Sequence, residues 1–104
     1  MKLTIATVVF NAEKTIYRSS QAIKHEISNY ENSSNIEYLV IDGNSKDRTL
    51  EIIKQTFIGV ENLRIISEQD SGIYDAYNKA VNNASGSFIW FVNGDPCVIG
   101  RFTK

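Results

Sequence analysis

Four short apolar runs punctuate the chain: Leu3 to Val9, Ile36 to Ile41, Leu63 to Ile66 and Phe88 to Val92. They are rich in β-branched and aromatic residues, and two are nearly unbroken, the pattern of strands buried on both faces. Between them, residues suited to a buried face recur every three or four positions, the period of a helix packed on one side. The first such stripe is Ile16, Ser20, Ile23 and Ile27, with Asn11 as an N-cap candidate. The second is Leu50, Ile53 and Phe57, after Ser45 or Asp47. The third is the most regular: Ile73, Ala76, Tyr77, Ala80, Val81 and Ala84, with Gly86 as its stop. Strand and helix alternate from Leu3 to Val92. That order predicts an α/β fold with a mainly parallel sheet of about four strands, flanked by helices and joined by right-handed crossovers. The stretch from Pro96 to Lys104 shows no clear period and no partner for its apolar residues. It is read as an atypical tail, 96–104, on a domain spanning 1–95.

Composition narrows the class. A chain of 104 residues has room for one small domain. Apolar residues make up 42% and charged residues 22%, ordinary for a globular protein and against disorder. With 11 basic and 12 acidic residues the net charge is -1, so no basic excess points to nucleic acid. The single cysteine, Cys97, excludes an internal disulfide framework and favours a reducing, cytoplasmic setting. No apolar stretch approaches the ~20 residues that span a bilayer, so no transmembrane segment is expected. The first apolar run lacks a small-residue cleavage site and ends at Asn11, Glu13 and Lys14. A buried strand explains it better than a signal peptide.

In an open parallel sheet, ligands bind beyond the carboxyl ends of the strands. Here those ends lead into Phe10-Asn11, Asp42-Gly43-Asn44-Ser45, Ser67-Glu68-Gln69-Asp70-Ser71-Gly72 and Asn93-Gly94-Asp95. Three of the four carry a carboxylate, suited to ligand amides and hydroxyls or to a hard divalent cation. Each residue alone also fits a turn or a helix cap. Their concentration on one edge favours a binding site. A Gly-rich dinucleotide loop and a P-loop lysine are both missing. His25 is read as a surface residue, Cys97 as an incidental thiol and Trp90 as core; Tyr74 fits either core or pocket.

Read in order, these blocks resemble the family 2 glycosyltransferases of the GT-A fold. The matching segments are Thr7 to Asn11, Ile41 to Thr49, Ser67 to Ala80 and Ala84 to Asp95. The resemblance implies a Rossmann-like GT-A donor half that binds a nucleotide-diphosphate sugar, UDP-linked by default. Inverting transfer to a saccharide or lipid-linked acceptor would follow, in surface polysaccharide or glycolipid synthesis at the inner face of the membrane. It implies that Thr7, Phe10 and Asn11 line the nucleotide pocket, with Phe10 beside the base and Asp42 hydrogen-bonding it. Asp70, Gly72, Asp75, Asn78 and Asn93 would lie near the donor, while Asp47 and Thr49 cap the second helix. Asp95 would bind Mg²⁺ or Mn²⁺ at the diphosphate.

Two features depart from the family pattern. Relatives commonly carry an acidic residue directly after the position of Asp95, where this chain has Pro96, so metal binding should be weakened. The acceptor half, which normally supplies the catalytic base, would follow Asp95, and only nine residues do. The expectation is therefore a truncated glycosyltransferase, with a catalytically inert remnant or nucleotide-binding module as the alternative. Self-association through an exposed sheet edge is expected as well.

Overall fold

The computed structural model describes residues 3–28, 35–60, 62–86, 88–92 and 98–103. Strands β1 (Leu3–Val9), β2 (Ile36–Asp42), β3 (Leu63–Ser67) and β4 (Phe88–Val92) alternate with helices α1 (Ile16–Ser28), α2 (Thr49–Thr56) and α3 (Ile73–Asn83). A fifth strand, β5 (Val98–Thr103), follows. The sheet order is β3-β2-β1-β4-β5. The first four strands run parallel, with Leu3 opposite both Ile36 and Phe88. This is the predicted α/β sheet. The chain builds outward from β1 to β2 and β3, then returns to place β4 on the other side of β1. That reversal opens a crevice at the carboxyl ends of β1 and β4.

Side-chain alternation assigns the two faces. Ile5, Val9, Tyr38 and Val40 point to one side, where they join Ile16, Ile23 and Ile27 of α1 with Ile53 and Phe57 at α2. Ala6, Leu39, Ile41, Ile89 and Phe91 point to the other, against Ala76, Ala80 and Ala84. That alanine stripe presents only methyl groups, so α3 seats its backbone close to the sheet. Among the described residues no helix is long and apolar enough to cross a membrane.

The structure corrects three sequence readings. Asn11 does not cap α1: it stands at φ 47°, and a turn in which Ala12 O accepts the Thr15 and Ile16 N–H groups separates it from the helix. Gly86 does not end α3; the chain already turns extended at Ala84 (φ -66°, ψ 133°), and the Gly86 N–H donates to Thr4 Oγ1 instead. The tail has a partner after all. Val98 to Thr103 pair antiparallel with β4, from Val92↔Val98 to Phe88↔Thr103. A single edge strand containing Gly100 and Arg101 carries too few alternating positions to announce itself.

Candidate functional site

The site lies at the carboxyl edge, where three loops meet over Gly43. A Cβ on Gly43 would stand 3.1 Å from Asp70 Oδ2 and 3.3 Å from Phe10 Cδ1. Glycine therefore allows a carboxylate from the β3–α3 loop and an aromatic ring from the β1–α1 loop to close over the end of β2. Phe10 is 61% exposed, so its ring is available for stacking. Asp70 Oδ1 accepts the Gly72 N–H at 3.2 Å, and no donor meets Oδ2 among the described residues. A carboxylate oxygen beside an open ring is an acceptor placed for a planar ligand with an N–H edge.

Around this point the loops are laced together by backbone-directed bonds. Asn11 donates its N–H to Ser45 Oγ at 2.8 Å, and its Oδ1 accepts the Lys46 N–H at 2.8 Å. The Ala12 N–H donates to Thr49 Oγ1, and Asp47 accepts from the Glu13 N–H and from both the N–H and the hydroxyl of Thr49. Asp47 thus receives the first N–H of α2, as capping requires, although Arg48 occupies the N-cap position itself. Desolvation acts to raise the Asp47 pKa, but the Thr49 hydroxyl and the Thr49 and Glu13 amides outweigh it and hold the carboxyl below its ordinary range.

Several residues expected at the pocket sit deeper. Asp42 is fully buried; its Oδ2 accepts the Ser45 N–H at 2.9 Å and the Ser67 hydroxyl at 2.8 Å, while Oδ1 accepts the Ser45 hydroxyl. Its carboxylate ties β2 to the end of β3 from beneath the rim. Thr7 is also fully buried, and its Oγ1 accepts the Tyr38 hydroxyl at 2.9 Å inside the core. Burial pushes the Tyr38 phenol pKa up, so it remains a donor. Gly72 begins α3 at φ 130°, a conformation that favours glycine. Asp75 reaches back to accept the Ser71 N–H at 2.9 Å, and Asn78 is exposed one turn further on. Tyr74 is 82% exposed, which excludes the core reading. Asn93 and Asp95 lie outside the described residues, and among those described no three His, Cys, Asp or Glu side chains cluster to hold a metal.

Gly43, Ser45 and Ser67 entered the sequence reading only within the strand-end blocks, Ser45 also as a start candidate for the second helix, and Lys79 was given no role. The available signal for Gly43 was its place beside Asp42 at a strand end. Nothing in spacing marked the serines, whose bonds depend on how β2 and β3 align. At the opposite, amino edge the sequence also hid Glu37. It is 4% exposed and accepts from Thr4, from the Ser85 N–H and hydroxyl, and from Arg64 at 3.1 Å.

A parallel sheet reversed beside β1, with polar loops gathered at the carboxyl edge, is the architecture of Rossmann-like folds, the GT-A fold among them. The sequence matches the family described as Glycosyl transferase family 2 over residues 4–99, and the chain belongs to that family. It is 31% identical over 94 residues to the glycosyltransferase AglE of Haloferax volcanii, a match covering 89% of this chain and 30% of that protein. A crystal structure of S. aureus TarS in complex with UDP-GlcNAc superposes with a TM-score of 0.76 at 26% identity, over 91% of this chain and 27% of that one. The mannosyltransferase PcManGT of Pyrobaculum calidifontis, solved with GDP-Man and Mn²⁺, shares the fold with a TM-score of 0.72 at 18% identity, over 90% and 27%. The chain spans less than a third of the length of the curated relatives it matches, 30% in the case of AglE.

Proposed function

We propose that this chain forms the donor-binding part of a glycosyltransferase and takes a nucleotide-diphosphate sugar, with UDP as the nucleotide. The observation that carries the reading is the meeting of Phe10, Gly43 and Asp70 at one point of the carboxyl edge. A uracil ring stacked on Phe10 would offer its imide N–H to Asp70 Oδ2, at the N3 position where cytosine presents an acceptor instead. Asp42, held from beneath by Ser45 and Ser67, then shapes the floor. The TarS complex with UDP-GlcNAc supports the choice of nucleotide. Asp95 is the proposed ligand for Mg²⁺ or Mn²⁺, held more weakly with Pro96 beside it. The cation would neutralise charge gathering on the departing diphosphate. Inverting transfer to a saccharide or lipid-linked acceptor, in surface polysaccharide or glycolipid assembly, completes the proposal.

One observation favours a second reading, nucleotide binding without transfer. The described rim carboxylates are already engaged within the protein: Asp47 accepts the Glu13 and Thr49 N–H groups, Asp70 that of Gly72 and Asp75 that of Ser71, while Glu68 pairs with Lys79. None stands apart as a general base. Calorimetry with UDP and UDP-GlcNAc in Mn²⁺ tests the donor site. Binding that weakens about tenfold in Asp70→Asn and in Phe10→Ala supports it. No binding at millimolar ligand, or binding by both variants as tight as by the unaltered protein, refutes it. Sugar transfer measured on the same samples separates the two readings.

A further inference from the structure

Lys79 has no place in the donor site as described, yet three acceptors converge on its ammonium beside that site. It lies on α3, one turn beyond Asp75, with its side chain only 18% exposed. Its Nζ donates to the Gln69 carbonyl at 3.0 Å and stands 3.3 Å from Glu68 Oε1 and 3.6 Å from Asp75 Oδ2. Glu68 and Gln69 are the two residues before Asp70. Asp75, the third partner, accepts the N–H of Ser71, the residue after it. The segment on both sides of Asp70 is therefore fastened to α3 through one ammonium group and one carboxylate. Desolvation acts against the charge on Lys79, but Glu68 and Asp75 outweigh it and raise its pKa, so the ammonium persists at neutral pH.

We infer that Lys79 is a positioning residue: it fixes the β3–α3 loop so that Asp70 Oδ2 is held over Gly43, beside Phe10, in the geometry that meets the nucleotide base. The inference rests on the donor-site reading above. The physical ground is that one ammonium donates to the Gln69 carbonyl and lies within ion-pair range of Glu68 and Asp75, so it bridges the loop and the helix. A loop whose backbone carbonyl and flanking carboxylate are both held keeps its aspartate in one orientation. The ligand then meets a fixed acceptor rather than ordering it on binding.

The experiment compares Lys79→Met, which keeps the apolar stem, with Lys79→Arg, which restores the charge. UDP binding in Mn²⁺ should weaken about tenfold in Lys79→Met and return to within about threefold in Lys79→Arg. In the double variant Lys79→Met/Asp70→Asn, affinity should equal that of Asp70→Asn alone, because both changes remove the same interaction. Additive losses, or unchanged affinity in Lys79→Met, overturn the inference. Amide hydrogen exchange gives a readout without nucleotide. The Ser71 and Gly72 amides should exchange about tenfold faster in Lys79→Met, with Ser85 and Gly86 unchanged. Unchanged exchange at Ser71 and Gly72 overturns the positioning role, whatever the ligand does. If the unaltered protein fails to bind UDP, the donor-site reading falls and takes the functional role of Lys79 with it. The exchange result still decides separately whether Lys79 holds the loop.

Discussion

Asp70 and Gly43 are fitted to each other: the carboxylate Oδ2 lies 3.1 Å from the place where a Cβ on Gly43 would be. A carbon seldom approaches an oxygen that closely, so an added methyl must displace the carboxylate, the Phe10 ring at 3.3 Å, or both. Gly43 does not adopt positive φ, so the backbone itself would accept alanine. Phe10 is exposed and Asp70 only half-buried, and both can move into solvent. Gly43→Ala should therefore change stability by less than about 1 kcal/mol while weakening UDP binding about tenfold. Urea unfolding paired with calorimetry checks this. Loss of stability without loss of affinity would show that Gly43 serves packing alone.

Asn11 acts through its conformation as much as through its contacts. Asn11 sits at φ 47°, where asparagine is tolerated and alanine is strained. Its Oδ1 also accepts the Lys46 N–H, which joins the β1–α1 and β2–α2 loops. Asn11→Ala loses the bond and keeps the strain, so it should cost about 1–2 kcal/mol. Asn11→Gly loses the bond but relieves the strain, and should cost about half as much. Equal losses in urea unfolding would mean that the conformation contributes nothing.

Glu37 links stability to pH. The residue is 4% exposed and its carboxylate faces Arg64, Ser85 and Thr4, while the Arg64 Nη1 also donates to the Asn83 carbonyl at 2.7 Å. Burial acts to raise the Glu37 pKa, but the Ser85 N–H, Arg64 and the two hydroxyls outweigh it, so the folded value lies below 4.5. A depressed carboxyl stabilises the fold fully above its unfolded pKa, and the contribution disappears as pH falls through the folded value. Acid unfolding of the chain should therefore steepen below about pH 4.5. Glu37→Gln should cost about 2–4 kcal/mol at neutral pH and flatten that acid limb. An unchanged acid limb in Glu37→Gln would place the proton uptake on another group.

What the sequence disclosed and concealed follows from the range of the forces involved. The strands and helices were legible because burial repeats along the chain: Ile5 and Val9 alternate with Ala6, and Ala76, Ala80 and Ala84 recur at four. The edge that carries the site was legible for the same reason, since strand ends locate it. Which polar residue faces outward was not. Asp42 and Asp70 both follow apolar runs, yet Asp42 is drawn under the rim by two serines, one of them 25 residues away. Thr7 looked like a rim residue until Tyr38, 31 positions on, took its hydroxyl inside. β5 escaped because pairing with β4 defines it, and pairing leaves no period in a single short strand.

Neighbouring serines on α1 respond differently to the same substitution. Ser19 and Ser20 are both fully buried. The Ser19 hydroxyl donates to the Ile16 carbonyl at 3.2 Å, whereas Ser20 Oγ has no hydrogen-bond partner among the described residues. A buried hydroxyl without a partner has lost its water and gained nothing, a loss of about 1–3 kcal/mol. Replacing it with alanine removes that loss, improves helix propensity and deletes a single atom from the packing. Ser20→Ala should thus stabilise the chain by about 1 kcal/mol, raising Tm by about 4–8 °C for a domain of this size. Ser19→Ala has the same propensity gain but gives up a satisfied bond, so it should lie within about 0.5 kcal/mol of zero. Thermal unfolding of the two variants side by side cancels the shared propensity term and isolates the desolvation difference. If Ser20→Ala is no more stable than Ser19→Ala, the Ser20 hydroxyl is satisfied in solution, and a bound water is the partner to seek.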